Sequence, residues 1–185
     1  MTIREAVPAD AAGIAHVHVE SWRTTYPGIM PQEHLDALSV AERTGTWQDT
    51  LSLPNPGDCT LVAETEQGEI IGFVHGGKER SGDLDYRAEI QTIYLLKSSQ
   101  GLGLGRQLMT AAARRLFGNG FPTLMLWTHV RNPARGFYES LGGRAACTAQ
   151  RVIKGITYDD IGYGWDEAAL LRLIGRTNAD DSVSR

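Results

Sequence analysis

Apolar residues recur along this chain with two different periods, which predicts strands and helices in succession. Two runs rich in strand-forming residues, at 59–65 and 69–76, are separated by Glu66-Gln67-Gly68 and therefore predict a β-hairpin. Further strands are predicted at 2–7, 88–96, 122–130, 145–152 and 157–165.

Helices are predicted where apolar residues return every three to four positions. The clearest case follows Gly105, where Leu108, Ala112 and Leu116 lie four residues apart. Other helices are predicted from Asp10 to Tyr26, over 32–52, after Asn132, and from Asp166 to about Ile174. Asn132 is the predicted N-cap of its helix, with Pro133 at the first helical position and Gly142 as the stop signal.

This order of elements predicts an α+β, or mixed α/β, domain with a largely antiparallel sheet. A chain of 185 residues is consistent with one domain, which we place at residues 1–175. Residues 176–185 are polar and lack apolar periodicity, so they are predicted to form a C-terminal tail.

The segment most informative about chemistry lies between the strand at 88–96 and the helix that follows. It is the glycine-rich run Gln100-Gly101-Leu102-Gly103-Leu104-Gly105-Arg106. A glycine turn before a helix presents backbone N–H groups beside the positive end of the helix dipole, so it predicts an anion site. A P-loop would need Lys and then Ser or Thr after Gly105, and a dinucleotide fingerprint would need glycine at position 106. Both are therefore disfavoured.

Gln100, Gly103 and Gly105 instead fit a Gln-x-x-Gly-x-Gly pattern that resembles the GNAT N-acetyltransferase superfamily. A second motif supports the resemblance, because the run from Asn132 to Gly142, which includes Phe137-Tyr138-Glu139, is similar to another segment of that family. The resemblance implies a mostly antiparallel sheet with flanking helices, which splays between the strands near 88–96 and 122–130. It also implies that acetyl-CoA enters this cleft as the cosubstrate.

The resemblance further implies roles for particular residues. The loop from Gln100 through Gly101, Leu102, Gly103, Leu104 and Gly105 to Arg106 would bind the pyrophosphate, and Asn132 would bind the pantetheine arm. Ile93, Tyr94 and Leu95 would border the cofactor, with backbone oxyanion donors at Tyr94 and Leu95. Tyr138 would contact the cofactor and act as the catalytic acid.

Transfer of acetyl to an amine requires an unprotonated nucleophile and a proton for the leaving thiolate. A tyrosine, whose pKa is ordinarily near 10, is protonated at neutral pH, which suits Tyr138 as general acid. The base remains open between Glu89, acting directly or through water, and His129. Glu89 is the preferred candidate because it begins the key strand, where many relatives carry glutamate.

The acceptor site is predicted from the segment Ser21–Pro31, which resembles a Trp-Arg-x-x-Tyr-x-Gly-x-x-Pro stretch in one branch of the family. Trp22 and Tyr26 lie four residues apart and would share a helix face, so they could form an aromatic wall for a cationic amine. Packing of the first helix against the core is the alternative explanation. The predicted acceptor is a small-molecule primary amine, with a peptide amino group second.

Composition limits the other classes of function. The formal net charge of −4 argues against broad binding to nucleic acid or to anionic membranes. Cys59 and Cys147 have no disulfide or metal spacing, and no metal site is predicted. We expect a cytoplasmic protein, and the resemblance allows a homodimer. A noncatalytic acyl-CoA-binding or sensory module on the same fold is the alternative function, and a nucleotide hydrolase is a third, disfavoured one.

Overall fold

The computed structural model of the protein describes residues 1–82, 85–153 and 155–175. Its strands are hydrogen-bonded in the order β1-β2-β3-β4-β5-β7-β6. They are β1 (Thr2–Glu5), β2 (Cys59–Glu64), β3 (Ile70–Lys78), β4 (Ala88–Leu95), β5 (Leu124–His129), β6 (Arg144–Ile153) and β7 (Ile156–Trp165). The α-helices are α1 (Ala11–Thr25), α2 (Gln32–Asp36), α3 (Val40–Ser52), α4 (Leu104–Gly118), α5 (Arg135–Ser140) and α6 (Glu167–Ile174).

The predicted fold class is confirmed, since the sheet is mixed and mostly antiparallel. The pairs β1–β2, β2–β3, β5–β7 and β7–β6 are antiparallel. β4 and β5 are parallel, with a register that pairs Ala88–Ile90 with Leu124–Leu126. A parallel pair needs a crossover connection, and α4 supplies it.

The described residues fall into two compact units. The first comprises 1–76 and 92–112, and the second comprises the described part of 77–91 and 113–185. The single domain over residues 1–175 stays a prediction, and the predicted tail at 176–185 lies outside the described residues.

The core of the first unit lies where α1 and α3 cover the hairpin of β2 and β3. The residues that α1 contributes to this core are small or branched, which allows the helix to approach the strands closely. A Cβ at Gly13 would lie 2.8 Å from the Ile70 side chain, so glycine is needed at this crossing. The buried residues of this cluster are Ala11, Ile14, Ala15, Val17, Trp47, Val62, Ile70 and Phe73.

The second unit is organised around the antiparallel strands β5, β7 and β6. Trp165 at the end of β7 is fully buried, and its indole N–H donates to the Leu141 carbonyl at 3.0 Å. Gly143 is required beside this ring, because a Cβ there would lie 2.5 Å from it. The Asp166 side chain accepts from the Ala169 amide and so begins α6 where the sequence predicts it.

Two predicted helices differ from the structure. The region 32–52 contains two helices rather than one, because Ser39 is an N-cap whose hydroxyl accepts from the Glu42 amide and begins a new helix. The helix predicted directly after Asn132 begins only at Arg135. Asn132 still caps the chain locally, since its side-chain oxygen accepts from the Ala134 amide at 2.8 Å.

Candidate active site

The glycine-rich loop of the first unit has the geometry of an anion-binding turn. Gly101 and Gly103 have φ values of 77° and 78°, which L side chains rarely adopt. A Cβ on either glycine would meet no atom within 4 Å, so the space beside the backbone is open. The Gly103 carbonyl accepts from the Gln107 amide, which places Gly103 immediately before the first turn of α4. The amides of that turn have no acceptor within the helix, and the helix dipole adds positive potential there.

The C-terminal end of β4 is held closely against β3 in the same unit. The Leu96 amide donates to the Ile71 carbonyl at 3.0 Å. A Cβ at Gly72 would lie 2.4 Å from a methyl of Leu95 and 3.1 Å from the Tyr94 carbonyl oxygen. Glycine at position 72 therefore permits the close approach that fixes Tyr94 and Leu95, the two predicted oxyanion-donor positions.

Helix α1 also contacts this end of β4 through two successive side chains. The Ser21 hydroxyl donates to the Leu95 carbonyl at 3.1 Å, and the Trp22 indole N–H donates to the Tyr94 hydroxyl at 2.9 Å. The ring centroids of Trp22 and Tyr26 are 5.1 Å apart, so these two predicted acceptor residues share a face. Tyr26 is buried whereas Trp22 is half-buried.

His18 lies within an aromatic cluster beneath Trp22 and Tyr94. Its ring centroid is 5.1 Å from that of Tyr94 and 5.9 Å from that of Trp22, and its Nδ1 accepts from the Trp47 indole N–H at 3.3 Å. Burial, with a smaller contribution from Arg43, lowers the pKa of His18 to about 3. The ring is therefore neutral at physiological pH, with its proton on Nε2.

In the second unit, Asn132 stabilises the turn between β5 and α5. Its side-chain NH₂ donates to the Thr128 hydroxyl at 2.8 Å, and its own amide donates to the His129 carbonyl at 2.9 Å. Together with the bond from the Ala134 amide, these contacts bury Asn132 and fix the backbone that leads into the helix carrying Tyr138.

Tyr138 is buried against the ring of Tyr163, whose centroid is 5.8 Å away. The Tyr163 hydroxyl donates to Glu139 at 2.6 Å and accepts from Arg135 Nε at 3.0 Å. Because Arg135 and Glu139 lie on the same helix as Tyr138, this chain of hydrogen bonds fastens that helix to β7. Tyr138 is thus a packed aromatic residue on a firmly held element.

Glu89 is 4% exposed on β4 and is paired with Arg80. The Arg80 guanidinium donates to both carboxylate oxygens, at 2.7 Å from Nη2 and 3.1 Å from Nε. Such a bidentate pair satisfies a buried carboxylate well and is geometrically specific. For Glu89 to accept a proton from a substrate, Arg80 would have to turn towards solvent, where its side chain is already 60% exposed.

His129, the second base candidate, is engaged differently. Its Nδ1 accepts from the Arg131 amide at 3.0 Å, so the neutral ring carries its proton on Nε2 and has no second lone pair to accept another. Burial, and then the charge of Arg131, lower the pKa of His129. These contacts favour a structural role for this ring.

Asp160, which is the register partner of His129, is a buried carboxylate that the sequence does not single out. Its Oδ2 accepts from Arg151 at 2.7 Å, while its Oδ1 meets no donor among the described residues. Burial raises the pKa of Asp160, against the opposing effect of the Arg151 charge.

Each unit thus contains part of the predicted site. The first holds the glycine loop, Ile93, Tyr94, Leu95 and the aromatic pair of Trp22 and Tyr26, and the second holds Glu89, Asn132 and Tyr138. Sequence reasoning assigned no role to Arg80 or Tyr163, and none to the side chain of Ser21, which only begins the predicted acceptor segment. A hydroxyl on the inward face of α1 is a weak signal for Ser21. Arg80 offers no signal, because it lies between the strands predicted at 69–76 and 88–96, where no element is predicted.

Two absences apply to residues 1–82, 85–153 and 155–175. These residues contain no group of three His, Cys, Asp or Glu side chains able to hold a metal ion. Within the same ranges, none of the helices has the length and apolar character needed to cross a membrane.

The sequence profile of the Acetyltransferase (GNAT) family matches residues 17–143, which include the glycine loop and Tyr138. The chain therefore belongs to the GNAT acetyltransferase family, and the predicted enzyme class is confirmed.

Individual relatives agree with this assignment. The chain is 36% identical over 177 residues to the uncharacterized N-acetyltransferase YuaI of Bacillus subtilis, covering 95% of this chain and 99% of that protein. It is 28% identical over 166 residues to a probable N-acetyltransferase of Mycobacterium tuberculosis, covering 87% and 91%. A putative acetyltransferase of Salmonella typhimurium, solved with acetyl-CoA, shares the fold with a TM-score of 0.66 at 22% identity, covering 90% of this chain and 94% of that one.

Proposed function

We propose that this protein transfers an acetyl group from acetyl-CoA to a primary amine of a small-molecule acceptor by direct attack. The observation that carries the proposal is the glycine loop. It combines two left-handed glycines, open space beside the backbone and the first turn of α4. Family membership gives the reaction class, and the solved Salmonella relative holds acetyl-CoA.

The residues present fit the phosphate end of this cofactor. Side chains at positions 101 and 103 would fill the space that a pyrophosphate needs, and glycine leaves it open. Arg106 is exposed in the first turn of α4 and adds positive charge beside the helix N-terminus. We assign pyrophosphate binding to the segment from Gln100 to Arg106, and contact with the rest of the cofactor to Ile93, Tyr94, Leu95 and Asn132.

The chemistry assigned to this chain is proton transfer and oxyanion stabilisation. The amine nitrogen attacks the thioester carbonyl, the C–S bond breaks, and the leaving sulfur takes a proton. We assign that proton to the Tyr138 hydroxyl, because a phenol is protonated at neutral pH. Backbone N–H groups at Tyr94 and Leu95 are assigned to the developing oxyanion, since donors fixed in advance stabilise such charge most effectively.

Glu89 is assigned the removal of the amine proton, through water. Its pairing with Arg80 means that this role requires the guanidinium to move aside. Glu89→Gln should therefore lower kcat while leaving acetyl-CoA affinity unchanged. An undiminished kcat would remove Glu89 from the reaction and leave it as a structural partner of Arg80.

The acceptor is assigned to the aromatic pair of Trp22 and Tyr26. A half-buried indole beside a second aromatic ring can hold a cationic amine over its face. His18, whose ring lies 5.9 Å from that of Trp22, is neutral and so adds no repulsion towards a cation. These features support an acceptor whose positively charged group lies close to the nitrogen that attacks the thioester.

The first experiment is calorimetric titration of the full chain with acetyl-CoA, with ATP and NAD as controls. We expect micromolar binding of acetyl-CoA alone, followed by thiol release with at least one member of a panel of small amines and amino-terminal peptides. Binding without thiol release across the panel would indicate a noncatalytic acyl-CoA-binding module. If the folded protein does not bind acetyl-CoA, the proposal fails.

A further inference from the structure

Ser21 makes a long-range contact that neither packing of α1 nor the sheet requires. It is 1% exposed, and its hydroxyl donates to the carbonyl of Leu95, 74 residues away along the chain. A buried serine in a helix commonly bonds a carbonyl of its own preceding turn. Here the hydroxyl instead reaches the strand end that carries the proposed oxyanion donors.

A second side chain converges on the same acceptor. The side-chain amide of Gln100, the first residue of the glycine motif, donates to the Leu95 carbonyl at 3.3 Å. On the other side of this peptide group, the Leu96 amide donates to the Ile71 carbonyl at 3.0 Å. The peptide unit between Leu95 and Leu96 is therefore held at its oxygen by two side chains and at its N–H by β3.

From these contacts we infer that Ser21 is a positioning residue for acetyl transfer, which fixes the main chain at Tyr94 and Leu95 against the thioester carbonyl. This inference rests on the proposed function. Donors stabilise a developing oxyanion only if they are already oriented towards it, because reorienting them during the reaction costs free energy. Small displacements of reacting groups can lower rates by orders of magnitude.

The test must separate positioning from ordinary helix packing. Ser21→Ala removes a single oxygen and leaves the Gln100 contact intact, so the strand should keep its place while its end becomes less constrained. Thr44→Ala is the matched control, because the half-buried Thr44 hydroxyl donates to a carbonyl of its own helix α3, that of Val40, and Thr44 lies outside the predicted acceptor segment. Both variants would be checked for folding by thermal unfolding.

Three quantities would be measured: kcat, the Kd for acetyl-CoA, and the infrared C=O stretching band of bound acetyl-CoA labelled with ¹³C at the carbonyl. In the wild type, backbone donors should move this band to lower frequency than in free acetyl-CoA. Ser21→Ala should reverse part of that shift and lower kcat about tenfold, while Kd stays within about twofold. Thr44→Ala should leave all three quantities at wild-type values.

A second variant keeps the test decisive if Ser21→Ala folds poorly. Gln100→Leu removes the other donor to the Leu95 carbonyl from an exposed position, and it should likewise move the band towards that of free acetyl-CoA. Since both side chains share one acceptor, the double variant should lose more of the shift than the two single losses added together.

The outcomes separate this inference from the function on which it rests. If wild-type protein binds no acetyl-CoA, or leaves the carbonyl band of acetyl-CoA unshifted, the proposed function itself fails, and the positioning role that rests on it fails too. If the wild type shows the shift and folded Ser21→Ala retains both the band position and kcat, the positioning role is overturned alone. A loss in Ser21→Ala no larger than that in Thr44→Ala would have the same meaning.

Discussion

The glycine loop and the end of β4, in the first unit, are proposed to act through the main chain, whereas Tyr138 and Glu89, in the second, are proposed to act through their side chains. In the first unit, the glycine loop and the end of β4 offer backbone groups, and Ser21, Trp22 and Gly72 hold them in place. In the second, Tyr138 and Glu89 carry functional groups that are packed or paired. Substitutions that add atoms should therefore be the most damaging in the first unit. Substitutions that remove atoms should be the most damaging in the second.

Gly103→Trp should have the largest effect, because it adds atoms where the backbone must remain open. Tryptophan would fill the space beside residue 103 and strain a backbone with φ of 78°. We expect calorimetry to detect no acetyl-CoA binding. Gly120→Trp is the control, since Gly120 also combines a positive φ of 89° with open space but belongs to the turn after α4. Wild-type affinity in Gly103→Trp would place the phosphate site elsewhere.

Tyr138→Phe should come next, because it deletes one oxygen from the second unit. We expect kcat to fall about 10²-fold, the lower end of the range for losing a general acid, with little change in acetyl-CoA affinity. Tyr163→Phe removes a phenol hydroxyl from the adjacent ring and should have a smaller effect on kcat. Equal losses in the two variants would indicate that packing of α5, rather than proton transfer, sets the rate.

A pH experiment should show that His18 supports the first unit rather than reacting. Its pKa of about 3 lies below the value of about 6.5 for an unfolded histidine, so the unfolded chain binds more protons in between and stability falls as the pH falls. Between pH 8 and pH 5 this loss is about 2 kcal/mol of unfolding free energy.

The variant for this test is His18→Asn, whose side-chain oxygen can still accept from the Trp47 indole. The free energy of unfolding, measured with denaturant, should fall between pH 8 and pH 5 by about 2 kcal/mol less in this variant than in the wild type. His16→Asn, at an exposed position of the same helix, is the control and should follow the wild type. If His18→Asn shows the same pH dependence of unfolding free energy as the wild type, His18 of the wild type must become protonated in the native state over this pH range.

Trp22→Ala should have the smallest effect and sharpens the comparison within the first unit. Loss of one aromatic face is worth about 1 kcal/mol, so the acceptor KM should rise about fivefold while the acetyl-CoA KM stays constant. Trp22→Phe keeps an aromatic face without the N–H that bonds Tyr94, and its acceptor KM should stay nearer that of the wild type. Parallel increases in both KM values would indicate that Trp22 only packs the core.

Features set by local sequence were predicted well. The hairpin of β2 and β3, the strands β6 and β7 and the start of α6 follow from alternation and from turn or cap residues close in sequence. The glycine loop was located for the same reason, since its left-handed residues are glycines. The break between α2 and α3 was missed because the whole region 32–52 was predicted as one helix and the cap at Ser39 was not recognised.

The hydrogen bonds of individual side chains could not be predicted, whether their partners are close or distant in sequence. Nothing local distinguishes Arg80 from other charged loop residues, yet it satisfies both oxygens of Glu89. The engagement of His129 Nδ1 by the Arg131 amide is also invisible in the sequence, although it changes how that ring can act. In the sequence, Ser21 is only one small residue on an inward helix face, and its hydrogen bond to the Leu95 carbonyl of β4 becomes visible only in the structure.

The close approach at Gly72 also limits the order in which this chain can change through evolution. A methyl group at position 72 would overlap the Leu95 side chain at 2.4 Å and press on the Tyr94 carbonyl at 3.1 Å. A shorter side chain at position 95 fits beside Gly72 without rearrangement, whereas a side chain at position 72 requires Leu95 to move or shorten and the Tyr94 carbonyl to give way. Shortening of Leu95 is therefore the easier first substitution, at a site that lies outside both sequence motifs.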